Sequence, residues 1–165
     1  MHDNIKKRIN IAAKRQPADL VIKNCKIVNV FTHEIIEGDI AISDGKIAAV
    51  GNYSGEKEVD AEGRYALPGF INSHIHIESS FVSPEEFSRL VVPHGTTTII
   101  ADPHEIVNVC GMDGFDYMVK AGENAALNIK YMLPSCVPCT PWENAGAVVD
   151  SKAISEVINQ DKVFG

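Results

Sequence analysis

Three apolar, β-rich runs from residue 70 onward each end in a cluster of polar side chains, with helical stretches between them. The run at 70–77 carries His74-Ile75-His76 near its end. That at 96–101 (TTTIIA) is followed by Asp102-Pro103-His104-Glu105, and that at 128–133 leads through Pro134 into Ser135-Cys136. Strands that alternate with helices imply βαβ units and a parallel sheet. Barrels and open sheets of that kind both place their chemistry at the carboxyl ends of the strands. Agreement among these strand ends constrains the fold more than any single motif does.

The connecting segments fit the same pattern. Ser83-Pro84-Glu85-Glu86 supplies an N-cap, a proline at the first helical position and acidic first-turn residues, which predicts a helix to about Val92. His94-Gly95 reads as a cap at the end of that segment, a cation followed by a left-handed glycine. Residues 113–127 read as a second helix, weakened by Gly122, and 151–159 as a third; 162–165 looks like a fourth strand beginning. A closed barrel takes eight such units and about 250 residues, whereas the chain has 165. The expectation is a piece of a longer barrel rather than a complete three-stranded open domain.

Pro68-Gly69 marks a change of pattern. The stretch before it begins with a basic helix whose Ile5, Ile9 and Ala12 suit docking, broken at Pro17. Residues 19–30 alternate through Leu20 and Ile22, with Ile27 and Val30 out of phase. Two apolar runs flank Asp44-Gly45, a strong hairpin signal. A further strand is expected at 58–60, ended by the turn Ala61-Glu62-Gly63, so that the chain to Leu67 reads as a small antiparallel sheet.

Charge narrows the partners. Lys and Arg total 15 against 22 Asp and Glu, a net charge of −7. That balance argues against a nucleic-acid backbone or an anionic membrane as main partner. No apolar run reaches the ~18 residues a bilayer span needs, and the N-terminus lacks the apolar core of a secretory signal. Cysteines 25, 110, 136 and 139 are too few and scattered for a disulfide scaffold, so a reducing, cytoplasmic setting is expected.

The polar clusters carry the chemistry. Alternate residues of a strand face the same way, so His74 and His76 can offer two imidazoles to a borderline metal. The spacing alone equally suits a packing or surface pair. Carboxylate, imidazole and carboxylate within Asp102–Glu105 are hard to explain by packing, although Asp102 could simply cap a helix. Cys136 and Cys139 have metal or redox spacing, but no second such pair accompanies them, and they read as ordinary thiols. Trp142 reads as a packing residue of the loop after the third strand.

These residues match a known family. The start (DLVIKNCKIVNV, GDIAISDGKIAAVG), Asp60-Ala61-Glu62-Gly63 and PGFINSHIHIESS resemble the amidohydrolase superfamily, with its metal-dependent (β/α)8 barrel and small β-sandwich. Within it, HIHIESS, PHGTTTIIADPHEIVNVCG and MLPSCVP resemble the adenine deaminases of bacteria and archaea. The resemblance implies an α/β fold: the N-terminal part of a (β/α)8 TIM-like barrel preceded by a small antiparallel β-sandwich portion. Residues 1–18 would be the basic helix, 19–67 the β-sandwich portion and 68–165 the first β/α units. It implies His74 and His76 as ligands of a divalent metal, manganese or iron, with zinc as the alternative. Glu78, Ser79, Asp102, His104 and Glu105 become candidates for holding the purine base. Further ligands and the general base are expected beyond residue 165, leaving this segment inactive alone. The implied reaction is hydrolysis of adenine to hypoxanthine and ammonia by a cytoplasmic homo-oligomer with no nucleic-acid or membrane partner. The alternatives are a cyclic-amide hydrolase of the same superfamily, dihydroorotase-like or imidazolonepropionase-like, and a noncatalytic truncated module.

Overall fold

The computed structural model describes residues 2–165, which divide between Pro68 and Gly69 into two compact units. In the first, α1 (His2–Ala12) precedes β1 (Ala18–Asn29), β2 (Glu34–Ser43), β3 (Lys46–Gly51), β4 (Gly55–Asp60) and β5 (Tyr65–Ala66). The helix docks as expected, but through Ile11, which is fully buried with Ala18, Val21 and Ala41; Ile5 and Ile9 are exposed. Lys7, one turn before Ile11, shares the docked face because its ammonium reaches Asp19 at 2.8 Å. Ala12, the third residue expected to dock, is exposed as well.

The strand order is β3-β2-β1-β4, with β5 also on β1. The sheet is mixed rather than antiparallel: β4 and β5 both run parallel to β1. Turn signals specify hairpins between sequence neighbours and are silent about the strand that a distant segment joins. The β2–β3 hairpin forms at Asp44-Gly45, whose φ values of 51° and 68° suit a tight type I′ turn. The change of phase between Ile22 and Ile27 follows from a slip in the β1–β2 register between Ile22 and Cys25, across which Ile22 packs with Cys25 and Ile27. Asn24 there has φ 55°, and the buried positions become Val21, Cys25 and Ile27.

The second unit is a parallel sheet, β6 (Phe70–Ile75), β7 (Thr96–Ala101) and β8 (Asn128–Tyr131), in that order. Its helices are α2 (Pro84–Val91), α3 (His104–Ala121) and α4 (Ser151–Val157). Ser83 caps α2, its hydroxyl accepting from the Glu86 amide, and Gly95 closes the following turn with φ 96°. Val163 continues the sheet beyond β8 through a parallel bridge to Tyr131, with the Phe164 amide donating to the Tyr131 carbonyl at 2.8 Å. Ile77, Phe87, Ile99, Phe115, Ile129 and Tyr131 anchor the core.

Three expectations need correction. The second helix begins at His104 rather than 113 and ends at Ala121 rather than 127. Gly111, at φ 61° and ψ −143°, interrupts it, and Gly122 ends it because Leu127 is drawn into the core before β8. Asp102 is not the helix cap, since Pro103 occupies that position and no side chain caps it. Trp142 is 88% exposed: a bridge between Val137 and Val149 buries both valines in its place. Among the described residues no helix is long and apolar enough to cross a membrane.

Candidate active site

All seven candidate side chains lie at the carboxyl ends of β6 and β7 or in the segments that follow. The strand ends are aligned by backbone bonds: the Asp102 amide donates to the Ile75 carbonyl at 2.8 Å, and the Met132 amide to the Ala101 carbonyl at 2.8 Å. Parallel pairing therefore brings residues 74–76 and 102 to one rim, although 26 positions separate His76 from Asp102.

His74 and His76 face the same way, with their Nε2 atoms 3.2 Å apart. His76 Nδ1 lies 2.8 Å from the Asp102 carbonyl oxygen and 3.1 Å from Glu105 Oε2. Both neighbours are acceptors, so Nδ1 carries the proton and Nε2 keeps its lone pair in the neutral ring. Asp102 adds a carboxylate: its Oδ1 is buried without a hydrogen-bond partner, and ligand atoms of His74, His76 and Asp102 lie within 4.8 Å of one another. A buried carboxylate oxygen with no donor is costly, and a cation beside it would remove that cost.

These residues fit a metal. Two imidazole nitrogens sharing a tetrahedral ion sit roughly 3.3 Å apart, close to the observed 3.2 Å. Two imidazoles and one carboxylate form a donor set suited to zinc, iron or manganese.

The remaining candidates divide. Glu105 pairs with His76 and accepts from Ser79 Oγ at 3.5 Å. Glu78 is half-buried and turned toward α3, where its Oε1 accepts from the Ile106 amide at 3.3 Å; burial pushes its carboxyl up from the usual range. Its Oε2 is buried and unpartnered. His104 stands apart from the trio, its ring 6.5 Å from that of His76 and its Nδ1 3.8 Å from Cys136 Sγ. All four cysteines are free. The Glu78–Ile106 and Glu105–His76 contacts escape a reading by spacing, because each joins segments that only the sheet makes neighbours. The clue available beforehand was the placement of Asp102 directly after a buried strand.

The family model described as the amidohydrolase family matches residues 65–163. Over 98% of its length the chain is 61% identical to adenine deaminase 2 of Desulfotalea psychrophila. Over its whole length it is 53% identical to an adenine deaminase of Geobacillus kaustophilus. It spans 28% and 29% of those relatives. Among solved structures, a D-hydantoinase (dihydropyrimidinase) from Thermus sp. covers 73% of this chain with a TM-score of 0.54 at 22% identity, the chain spanning 29% of it. That likeness concerns the fold alone.

Proposed function

The chain belongs to the amidohydrolase family, a metal-dependent one, and on that premise we propose that it forms the metal-binding, substrate-facing portion of an adenine deaminase. The observation that carries the proposal is the convergence of His74, His76 and the unpartnered Asp102 oxygen in a chain matched from end to end by adenine deaminases. The proposed reaction is adenine plus water giving hypoxanthine plus ammonia.

His74 and His76 hold the metal through Nε2, and Asp102 contributes charge that neutral imidazoles lack. Manganese or iron is the proposed ion, with zinc the alternative that the same donors suit. A divalent cation bound there supplies water acidified toward neutral pH. Glu105 and the Asp102 carbonyl keep the His76 ring in one tautomer and orientation. Ser79 and His104, on the same rim, orient the purine by hydrogen bonds to its ring nitrogens, as a few placed polar groups do in small-molecule sites.

The test is a chimera in which this chain replaces the matching segment of the Desulfotalea adenine deaminase 2. It should release ammonia and hypoxanthine from adenine. His74→Ala and His76→Ala should each lose bound metal and turnover together, while His94→Ala, altered only at the turn before β7, should keep both. A His74→Ala chimera with full metal content and turnover would overturn the assignment. Ring opening of a cyclic amide without ammonia release from adenine would move the chain to the other branch of its family.

A further inference from the structure

We infer that Glu78 and Glu105 form a reciprocal clasp that sets the geometry of the metal ligands. The inference rests on the metal reading of His74, His76 and Asp102. The segment after β6 and the start of α3 each send one carboxylate into the other. Glu78, two residues past His76, reaches α3 and accepts from the Ile106 amide at 3.3 Å. Glu105, in the first turn of α3, reaches back to His76 Nδ1 at 3.1 Å and accepts from Ser79 Oγ at 3.5 Å.

The first amides of a helix have no partner within it, and no side chain of the local cap serves α3. Glu78 therefore does from the turn after β6 what a cap residue ordinarily does, and its negative charge suits that end of the helix. Through this bond α3 is held beside β6, and Asp102 and Glu105, flanking the helix start, keep their places relative to His76. Glu105 then holds the His76 ring with Nε2 facing His74. Partners of this kind that orient a ligating histidine usually matter to metal affinity nearly as much as the ligands do. Both oxygens of Glu105 are met by protein donors, and Glu78 spends one oxygen on the Ile106 amide while its other is buried without a donor; the contacts make both positioning residues.

The roles differ in what each carboxylate must supply. Glu78 needs only an acceptor oxygen, which glutamine also offers, whereas a ligand or proton carrier would need the charge or the acid. Two readouts on the full chain separate the clasp from the metal reading. In the metal-free protein at pH 8, nitrogen-15 correlation spectra should report the Nδ1–H tautomer for His76, which the Asp102 carbonyl preserves in Glu105→Ala, with the Nδ1 proton exchanging faster with solvent in that variant. Titration with cobalt(II), followed by its visible absorption, should show binding weakened about 10–100-fold in Glu105→Ala and Glu78→Ala. Glu78→Gln should bind within about twofold of wild type, a rescue that argues for the acceptor role. If Glu78→Gln binds as poorly as Glu78→Ala, the cap role is wrong. If Glu105→Ala keeps both the slow exchange of the Nδ1 proton and the cobalt affinity, the clasp is wrong. A wild-type chain whose Nδ1 proton exchanges slowly, and faster in Glu105→Ala, but that takes up no cobalt would uphold the clasp and sink the metal reading alone.

Discussion

Asp39 and Asp102 are both carboxylates drawn into the fold, and they differ in what they meet there. Burial alone would raise the Asp39 pKa. The Lys23 ammonium at 2.6 Å and the amides of Tyr53 and Asn24 outweigh it and hold the carboxyl below its usual range. Its work is structural: the bond to the Asn24 amide secures the slip in β1 that moves Cys25 and Ile27 into the core. A depressed folded pKa stabilises above the unfolded value of about 3.9, and the contribution is lost as pH falls through the folded value. Asp39→Ala should accordingly cost ~2–4 kcal/mol at pH 7 by urea denaturation, since it leaves amides and an ammonium unpaired. The wild-type and variant stabilities should converge as the solution is made acid. A constant gap down to low pH would remove the ionised carboxylate from the account. Asp102 has no such donor for Oδ1, and it differs from Glu78, which also keeps a bare oxygen, in lying beside His74 and His76, where the proposed metal would meet it.

At the scale of elements, α2 and α3 show what local signals can specify. Ser83, Pro84 and the acidic first turn announce α2, and its observed bounds follow them closely. The start of α3 carries a comparable signal in Asp102-Pro103 and the acidic Glu105, but Asp102 does not cap it and the capping acceptor arrives from Glu78 in another segment. Its interior also depends on context. Gly111 adopts φ 61° and ψ −143°, close to backbone territory that only glycine enters readily. A Cβ added there would lie 3.0 Å from the Cβ of Ala147. Gly111→Ala should lower stability by ~1–3 kcal/mol, read as a lower urea midpoint with an unchanged slope. Because the break separates the turn bearing His104 and Glu105 from the rest of α3, metal affinity should fall as well. A variant as stable as wild type would mean that the helix can straighten through this point.

Among the described residues, each core cluster is drawn from one unit. One cluster draws only on residues from Ile75 to Val163, and two smaller ones only on residues from Ile11 to Ala66. Each unit should therefore report its own damage. Phe115, fully buried and packed edge-on to Tyr131 with ring centroids 6.1 Å apart, is central to the larger core. Phe115→Ala should cost ~3–5 kcal/mol. Amide exchange should accelerate across β7, β8 and α3 while β1 and β2 keep their protection. Equal loss of protection in both units would show that they unfold as one.

The sequence alone determined the boundary at Pro68-Gly69, the Asp44-Gly45 hairpin, the capped α2, the strand β7 and the placement of polar residues at strand ends. Each of these is written in neighbours along the chain: a proline that cannot donate, a turn needing positive φ, a hydroxyl beside free amides, a β-branched run. The family was legible for the same reason, since its motifs are contiguous. Only the tertiary structure decided that β4 and β5 join β1 in parallel, that Ile11 rather than Ile9 docks α1, and that Trp142 stays in solvent. It also decided the division of labour among the acidic residues. Asp102 faces the histidines, Glu105 holds one of them and Glu78 caps α3, because parallel pairing of β6 with β7 brings together segments about 26 residues apart. Spacing along a chain cannot encode such a contact. Which carboxylate finds a donor and which is left for a cation is settled by the sheet that sets them side by side.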